Sequence, residues 1–314
     1  MGKTTATHGS RYQSLAYVGS LALSALLPLD LSAQTRPEVR LWQEALPYYN
    51  PAFEGGQLAT LYGHTDSRHK YYLILGGMPL ELLGGQHEVG AQLLHHQQDL
   101  WEQTALSARG ALSLPLSLTQ SIHLGLETTF YRLSFDGKRA QEEGITDQEL
   151  PTTKTEGKAF DLSLGAYYTG RRLSAGIAVS DLLGSNVALS ERYRAETSPL
   201  YIAFLRYRID LGKSLALQPT AFASYSKPSG WREELGASIS YQDRFSLGAS
   251  YRFHHTWTAH TSIGLGSLRL GYLLEQDTRS QGSPSYRHEF FLGYTLPLSQ
   301  GSKEKTRYKS IRLL

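Results

Sequence analysis

Serine, histidine and carboxylate side chains recur at even spacings in this chain, a pattern that could support acid–base chemistry on a strand. Ser121, His123 and Glu127 are separated by even intervals, and so are His260 and Ser262. Because alternate side chains of a strand point to the same face, each set would share one face. A histidine beside a serine can act as a base and activate its hydroxyl for acyl transfer. These residues are therefore the candidates for catalysis.

The strands that would carry these residues dominate the sequence. Runs of roughly ten residues alternate apolar and polar side chains, as in 245–253, where Phe, Leu, Ala, Tyr and Phe alternate with Ser, Gly, Ser and Arg. Turn residues separate the runs, which is typical of antiparallel strands. We predict fourteen strands, at 56–65, 69–79, 85–96, 101–115, 118–134, 157–169, 171–182, 197–210, 213–227, 230–242, 244–254, 256–265, 267–277 and 285–298.

The alternation predicts an all-β fold, an antiparallel up-and-down transmembrane β-barrel with lipid outside and a polar lumen. The sequence contains no apolar stretch of about 18 residues, so no transmembrane helix is expected. Short and long connections alternate along the chain, which places the two kinds at opposite ends of a barrel. A soluble barrel or sandwich is the rival, but the small polar residues opposite each apolar face would form a poor core.

The first residues have the features of an export signal. Lys3 and Arg11 precede an apolar run from Leu15 to Leu29, and small residues lead to an expected cleavage after Ala33. With the N-terminus in the periplasm, the short connections are periplasmic and the chain is an outer-membrane protein of a Gram-negative cell. The predicted organisation is a signal peptide at 1–33, a periplasmic N-terminal segment at 34–55, the barrel at 56–298 and a basic periplasmic tail at 299–314.

Charged residues within the strands define the lumen face. Arg or Lys facing lipid near mid-depth costs about 2–4 kcal/mol, so charges should point inward. The other inward residues are mostly Ser, Gly and Thr, which leaves internal space to be filled or hydrated. The charged residues predicted to face the lumen are Arg206, Arg208, Arg252, Arg269 and Glu289.

The chemistry candidates fit an ordinary lumen better than an active site. A barrel that cleaves lipids needs its site near the outer membrane edge, facing lipid, whereas these residues point inward. We therefore predict no catalytic residues. His95–His96 and His254–His255 are adjacent pairs whose side chains point apart, and the chain has 0 Cys, so no metal site and no cofactor are expected. A net charge of +3 is too small to indicate nucleic-acid binding.

Three segments resemble the PorP/SprF family of the type IX secretion system of Bacteroidota. They are Tyr49–Gly55, with Asn-Pro-Ala-Phe, then Leu247–Arg252, and finally His288–Tyr294. The resemblance implies a non-enzymatic outer-membrane component of protein secretion. It also implies contact with outer-membrane lipid and with protein partners: a periplasmic scaffold, a peptidoglycan-associated protein, and secreted cargo with a C-terminal sorting domain.

The resemblance also singles out a motif before the first strand. Asn50, Pro51, Ala52, Phe53 and Gly55 are expected to form a fixed element at or inside the periplasmic mouth, either as a partner site or as a structural plug. The alternative function is that of a porin or channel for small or hydrophobic molecules, and an outer-membrane hydrolase is a third hypothesis.

Overall fold

The structure is a computed structural model that describes residues 36–82, 85–145, 151–189, 194–253, 256–278 and 285–296. The expected signal peptide, its cleavage after Ala33 and the basic tail at 299–314 lie outside these residues. The helices and strands are α1 (Leu46–Tyr49), β1 (Gln57–His64), β2 (His69–Leu82), β3 (Gly85–Gln98), β4 (Trp101–Ser117), β5 (Gln120–Asp136), α2 (Gly137–Glu142), β6 (Lys154–Thr169), β7 (Leu173–Ser180), β8 (Asn186–Ala188), β9 (Arg194–Glu196), β10 (Leu200–Tyr207), β11 (Ile209–Asp210), β12 (Leu215–Ser226), β13 (Gly230–Tyr241), β14 (Phe245–Arg252), β15 (Thr256–Leu265), β16 (Leu268–Asp277) and β17 (Ser285–Thr295).

Among the described residues, fourteen antiparallel strands form a closed barrel. The ring runs in chain order from β1 to β7, continues through β10 and β12, and then follows β13 to β17. It closes where β1 pairs with β17, in a register that joins Gln57 to Thr295 and His64 to His288. The predicted up-and-down barrel is confirmed, and each of the fourteen predicted strands overlaps one strand of the ring.

The two ends of the barrel differ in their connections. One end carries the long connections β5–β6, β7–β10 and β16–β17, and we call it the long-loop end. The connections at the other end are mostly tight turns, the longest being that between β10 and β12, which contains β11, and we call it the short-turn end. Two pieces of structure within the long connections were not predicted: the helix α2 and the small hairpin of β8 and β9. The hairpin packs Val187 and Leu189 against Leu133 of β5, which gives it a hydrophobic core of its own.

Apolar side chains cover the outside of the barrel. Leu247, Leu268 and Phe290 alternate with inward residues and are between 44% and 58% exposed. Aromatic rings gather on the outer face toward the long-loop end, where Tyr251 and Trp257 lie with ring centroids 4.4 Å apart. Among the described residues, no helix is both long and apolar enough to cross a membrane. The exposed apolar face is what a strand in contact with acyl chains requires.

Residues 36–56 fill the interior of the barrel, and we call this segment the plug. The side chains of Val39, Trp42 and Leu46 are at most 2% exposed and pack on inward-facing residues such as Leu73 and Phe204. The sequence predicts a separate periplasmic segment at 34–55, whereas the structure places 36–55 inside the lumen. The physical reason is packing, because small inward side chains leave a space that the large side chains of the plug occupy.

The outer face allows a prediction of how the cost of a charged side chain depends on its depth in the membrane. Leu126 lies near the middle of β5 and Leu116 lies beside the end of β4, and both are outward and about half exposed. Leu126→Arg should lower the free energy of unfolding in lipid vesicles by about 2–4 kcal/mol, and Leu116→Arg by about 0–1 kcal/mol. Denaturant titration of refolded protein measures both. Equal effects of the two substitutions would contradict a membrane boundary near the short turns.

Candidate functional site

The motif Asn50–Phe53 fixes the lower part of the plug to the barrel wall. The side-chain amide of Asn50 donates to the main-chain oxygens of Ala166 on β6 and Ile177 on β7, at 3.0 and 3.2 Å. Its Oδ1 accepts a hydrogen bond from the main-chain nitrogen of Ala52 at 2.9 Å. Asn50 is fully buried and uses both ends of its amide. The side chain therefore sets the turn of the plug and its position on the sheet at once.

Glycines on the inner wall make room for this motif. A Cβ added at Gly125 would lie 2.5 Å from the Ala52 Cα, and one added at Gly176 would lie 2.8 Å from the Asn50 Nδ2. At Gly165 an added Cβ would lie 2.9 Å from the Pro51 Cδ and closer still to the Asn50 side chain. The three glycines come from β5, β6 and β7, so the plug backbone rests directly on the strands.

A buried ion pair holds the end of the plug where it turns into β1. Glu88 accepts hydrogen bonds from the main-chain nitrogens of Gly55 and Gly56 at 2.7 and 2.8 Å. Arg109 pairs with Glu88 and donates to the main-chain oxygen of Phe53 at 2.6 Å. Gly56 has a φ of +50°, which favours glycine at this bend. The ring of Phe53 packs on that of Tyr167, with the centroids 5.4 Å apart.

Carboxylates from the opposite wall hold the upper part of the plug. Glu289 of β17 accepts hydrogen bonds from the main-chain nitrogens of Arg40 and Leu41, the shortest to each being 2.8 and 2.7 Å. The Arg40 side chain pairs with Glu234 at 3.0 Å and also with Glu275. All five residues are buried, so each charge has its partners within the barrel.

The first residues of the plug lie toward the long-loop end. Arg36 pairs with Glu127 of β5 at 3.0 Å, and Glu127 also accepts a hydrogen bond from Gln92. Glu38 pairs with Arg252, the lumen-facing arginine that the sequence singled out. The plug therefore crosses the lumen from near one end of the barrel to the other before β1 begins.

The remaining charges predicted to face the lumen lie toward the short-turn end. Arg206 donates to the hydroxyl of Tyr167 at 3.1 Å, and Arg269 lies 3.5 Å from the Glu44 carboxylate of the plug. Arg208 lies lower and reaches the turns instead of the plug. The structure thus divides the set: Arg252, Arg269 and Glu289 contact the plug, whereas Arg206 and Arg208 contact wall or turn residues.

Arg208 belongs to a group of cations at the short turns, which we call the basic rim: Arg171, Arg172, Arg208, Lys213 and Arg244. The two acidic residues among these turns, Asp210 and Asp243, both pair with Arg208, at 2.8 and 2.7 Å. Hydrogen bonds from Arg208 lower the pKa of the Asp243 carboxyl. The other four cations are exposed and have no ion pair with a described residue, so the rim carries excess positive charge.

The structure does not assemble the catalytic candidates into a nucleophilic site. His123 packs beside Tyr167, and its Nδ1 lies 3.3 Å from the Glu54 carboxylate. Within the described residues, no hydrogen bond joins a serine hydroxyl to His123 or His260, and Ser262 bonds to Ser246 instead. No group of three potential ligands is placed to hold a metal ion in that part of the chain.

The paired histidines separate as adjacent strand residues should. His95 packs against Tyr72 on the outer face, with ring centroids 6.4 Å apart, and His96 faces the lumen. The pair at 254–255 lies outside the described residues.

A family model for the type IX secretion system membrane protein PorP/SprF matches residues 32–294. The chain belongs to the PorP/SprF family. It is accordingly an outer-membrane component of the type IX secretion system. The match spans the whole plug and all but the last residue of β17, so the family description covers the site as well as the barrel. No curated protein matches the chain.

Several solved structures are similar to the chain at low sequence identity. Omp33 of Acinetobacter baumannii, an outer membrane protein, is 10% identical, with 76% of this chain and 95% of that chain covered and a TM-score of 0.44. The toluene transporter TbuX of Ralstonia pickettii is 10% identical, with 80% and 92% covered and a TM-score of 0.47. A FadL homologue of Pseudomonas aeruginosa is 11% identical, with 84% and 96% covered and a TM-score of 0.41.

The wall residues that receive the plug are not among the site residues that the sequence predicts. Glu88, Arg109, Glu234 and Glu275 lie on predicted strands, yet nothing local distinguishes them from solvated lumen charges. The available signal was weak: single acidic residues at inward positions of separate strands, and Arg36 and Arg40 in a segment rich in large apolar side chains.

The close packing of the motif on Gly165 can be tested by adding a single methyl group at that position. Gly165→Ala should lower the free energy of unfolding by about 1–3 kcal/mol, because the Cβ overlaps Asn50 and Pro51. Gly110→Ala is the matched control, since its Cβ meets no atom within 4 Å on the same barrel. Denaturant titration measures both variants. A similar loss in the two variants would mean that contact with the motif is not the cause.

Proposed function

We propose that this PorP/SprF barrel is a non-enzymatic scaffold of protein secretion that binds protein partners at both ends and does not conduct solutes. The plug is the observation that supports this proposal. Its buried residues and the inward faces of β1, β2, β10 and β12 form one hydrophobic cluster across the lumen. Packed side chains exclude the water that a solute pathway would need.

The fixed plug also argues against the alternative function of a channel. Its main chain and its arginines are held by buried carboxylates on three separate strands, those of Glu88 on β3, Glu127 on β5 and Glu289 on β17. Movement of the segment would leave several buried charges without partners, and breaking one such pair is expected to cost about 3–5 kcal/mol. Spontaneous displacement of the plug, which would open the lumen, would therefore be rare.

Conductance separates the two functions. Purified wild-type protein in planar bilayers should show little ion current. Glu289→Ala should raise the frequency of conducting events, because it removes the acceptor for the nitrogens of Arg40 and Leu41. Glu156→Ala is the control, since Glu156 pairs with Arg132 in an exposed position. A steady wild-type current like that of an open porin would favour the channel.

The basic rim supports partner binding at the short-turn end, which we place in the periplasm. Four exposed cations without ion pairs to described residues attract an acidic protein surface over several ångströms. The partners expected for the family are a periplasmic scaffold and a peptidoglycan-associated protein, and cargo with a C-terminal sorting domain is expected at the long-loop end. Cleavage of a signal peptide after Ala33 would deliver the chain to this membrane.

Secretion in cells tests the proposal directly. A clean deletion should abolish secretion of cargo, and expression of the wild-type protein should restore it. Replacement of Arg171 and Arg172 by Glu should leave the barrel folded but reduce co-purification of periplasmic proteins, because the charge of the rim reverses. Arg132→Glu, at the other end, serves as the control for surface charge. Intact secretion in the deletion strain would refute the proposed function.

A further inference from the structure

Strand β6 has an open edge at the long-loop end of the barrel. It pairs with β5 along its whole length, from Lys154 to Thr169. Its ladder with β7 covers only 164–169 and stops where Leu164 lies opposite Val179. On that side no strand among the described residues pairs with 154–163. An unpaired edge of this kind presents main-chain N–H and C=O groups to which another strand can add.

The hydrogen bonds of the wall show which main-chain groups point to the open side. The oxygen of Leu162 accepts from the nitrogen of Leu182, in the β7–β10 connection, at 2.9 Å, so it points away from β5. In an antiparallel sheet both main-chain groups of a residue face the same neighbour, and successive residues alternate between neighbours. The even-numbered residues of 154–160 therefore face the open side, whereas the odd-numbered ones bond to β5.

Other groups of the chain cap only the lower part of this edge. The hydroxyl of Ser185 donates to the main-chain oxygen of Phe160, and the nitrogen of Leu162 donates to the Asp161 carboxylate at 2.8 Å. Above Phe160 the capping ends. Among the described residues, nothing bonds to the outward main-chain groups of 154, 156 and 158. We call this stretch the open edge.

The open edge stands above the membrane. Lys154, Glu156 and Lys158 are exposed and occupy the outward positions beyond the half-exposed Phe160. Arg132 of β5 adds a further charge on the outer face, where it pairs with Glu156 at 2.7 Å. Because charges on the outer face are unfavourable in hydrocarbon, this part of the wall lies in water. A soluble molecule can therefore reach its main chain.

The β8–β9 hairpin holds the same stretch of β6 from the inside. A Cβ added at Gly157 would lie 2.5 Å from the Cγ1 of Val187 and from the main-chain oxygen of Ala188. Since Gly157 faces inward, the hairpin lies on the inner face of the strand and not along its edge. β6 is thus kept extended while its edge stays open, which lowers the entropy cost of adding a strand.

The outward side chains indicate what kind of strand fits. Lys154, Glu156 and Lys158 alternate as basic, acidic and basic at every second position. Residues directly opposite each other on paired strands interact, and opposite charges are favourable there. A segment with acidic, basic and acidic residues at alternate positions is therefore complementary. A second copy of β6, paired antiparallel and centred on Glu156, would instead place like charges opposite each other.

We propose that the open edge captures an extended segment of an exported protein, which adds to the barrel wall as a further antiparallel strand. The main-chain groups of 154, 156 and 158 supply affinity, and the alternating charges supply specificity. This inference rests on the proposed function, because it gives the protein partner at the long-loop end a mode of binding.

Binding of the labelled peptide Thr-Glu-Thr-Lys-Thr-Glu-Thr tests the inference. Fluorescence anisotropy with the full-length protein in nanodiscs of zwitterionic lipid should show saturable binding. Lys158→Pro should weaken binding about tenfold, because proline lacks the main-chain donor on the open side. Lys158→Gln is the matched control, since it keeps that donor and removes only the charge, and it should weaken binding about twofold.

The proline variant should fold, because the nitrogen of Lys158 faces away from β5 and takes no part in the β5–β6 ladder. Altered peptides give a second test that leaves the protein unchanged. In the complementary register, the Glu and Lys residues of the peptide direct their main-chain nitrogens at β6, and the Thr residues direct theirs away. Methylation of the Glu and Lys nitrogens should abolish binding, whereas methylation of the Thr nitrogens should be tolerated.

Several results would overturn the inference. Lack of saturable binding would do so, and equal affinities of Lys158→Pro and Lys158→Gln would exclude main-chain pairing at this edge. Equal binding of the two methylated peptides would exclude it as well. Analytical ultracentrifugation in detergent gives the oligomeric state. A wild-type dimer that becomes a monomer in Lys158→Pro would assign the open edge to a second copy of the chain.

The two proposals fail in different ways. If deletion of the protein stops secretion but the peptide does not bind, the inference is wrong and the secretion function stands. If secretion survives deletion while Lys158→Pro and the methylated peptides behave as expected, the open edge binds extended peptides in a protein with another role.

Discussion

The hydrogen bonds between buried wall carboxylates and the main chain of the plug organise the rest of this structure. Glu88 and Glu289 each accept from two consecutive backbone nitrogens, so they fix the path of the plug whatever its side chains are. Arg109 pairs with Glu88, and Arg287 supplies positive charge beside Glu289. Burial of a carboxylate is unfavourable unless such partners surround it. The wall and the plug therefore supply the partners that each other's buried charges require.

Packing of the plug on the wall also explains why some strands carry apolar side chains on both their outer and their inner faces. Leu73 and Leu75 of β2 are buried against the plug, while Tyr72 and Ile74, which alternate with them, are exposed on the outside. A wall that faced only water inside would carry polar residues at the buried positions. Strands without apolar plug contacts keep that simpler pattern, as in β14, where Ser250 points inward between Ala249 and Tyr251.

The alternation of apolar and polar residues along single strands was sufficient to predict the barrel, because every strand must present apolar side chains to lipid. It predicted that Glu289 of β17 faces the lumen, and in the structure Glu289 is buried inside while Phe290 and Leu292 are exposed outside. It could not predict the plug, since the contacts of that segment lie far away in sequence: Arg40 and Glu289 are 249 residues apart. Asn50 was singled out by family resemblance alone. Its partners are main-chain oxygens, which carry no signal in the sequence.

Closure of the ring and seating of the plug are coupled through β17. Glu289 lies opposite Gly63 of β1 at the seam where the first and last strands pair, and the same residue binds the main chain of Arg40. Until β17 arrives, the upper plug lacks that acceptor and β1 lacks one neighbour. The residues that close the barrel therefore also satisfy the buried groups of the plug, so an open ring with a seated plug leaves the nitrogens of Arg40 and Leu41 unsatisfied. This coupling favours packing of the plug in the lumen at the same stage as β1 pairs with β17.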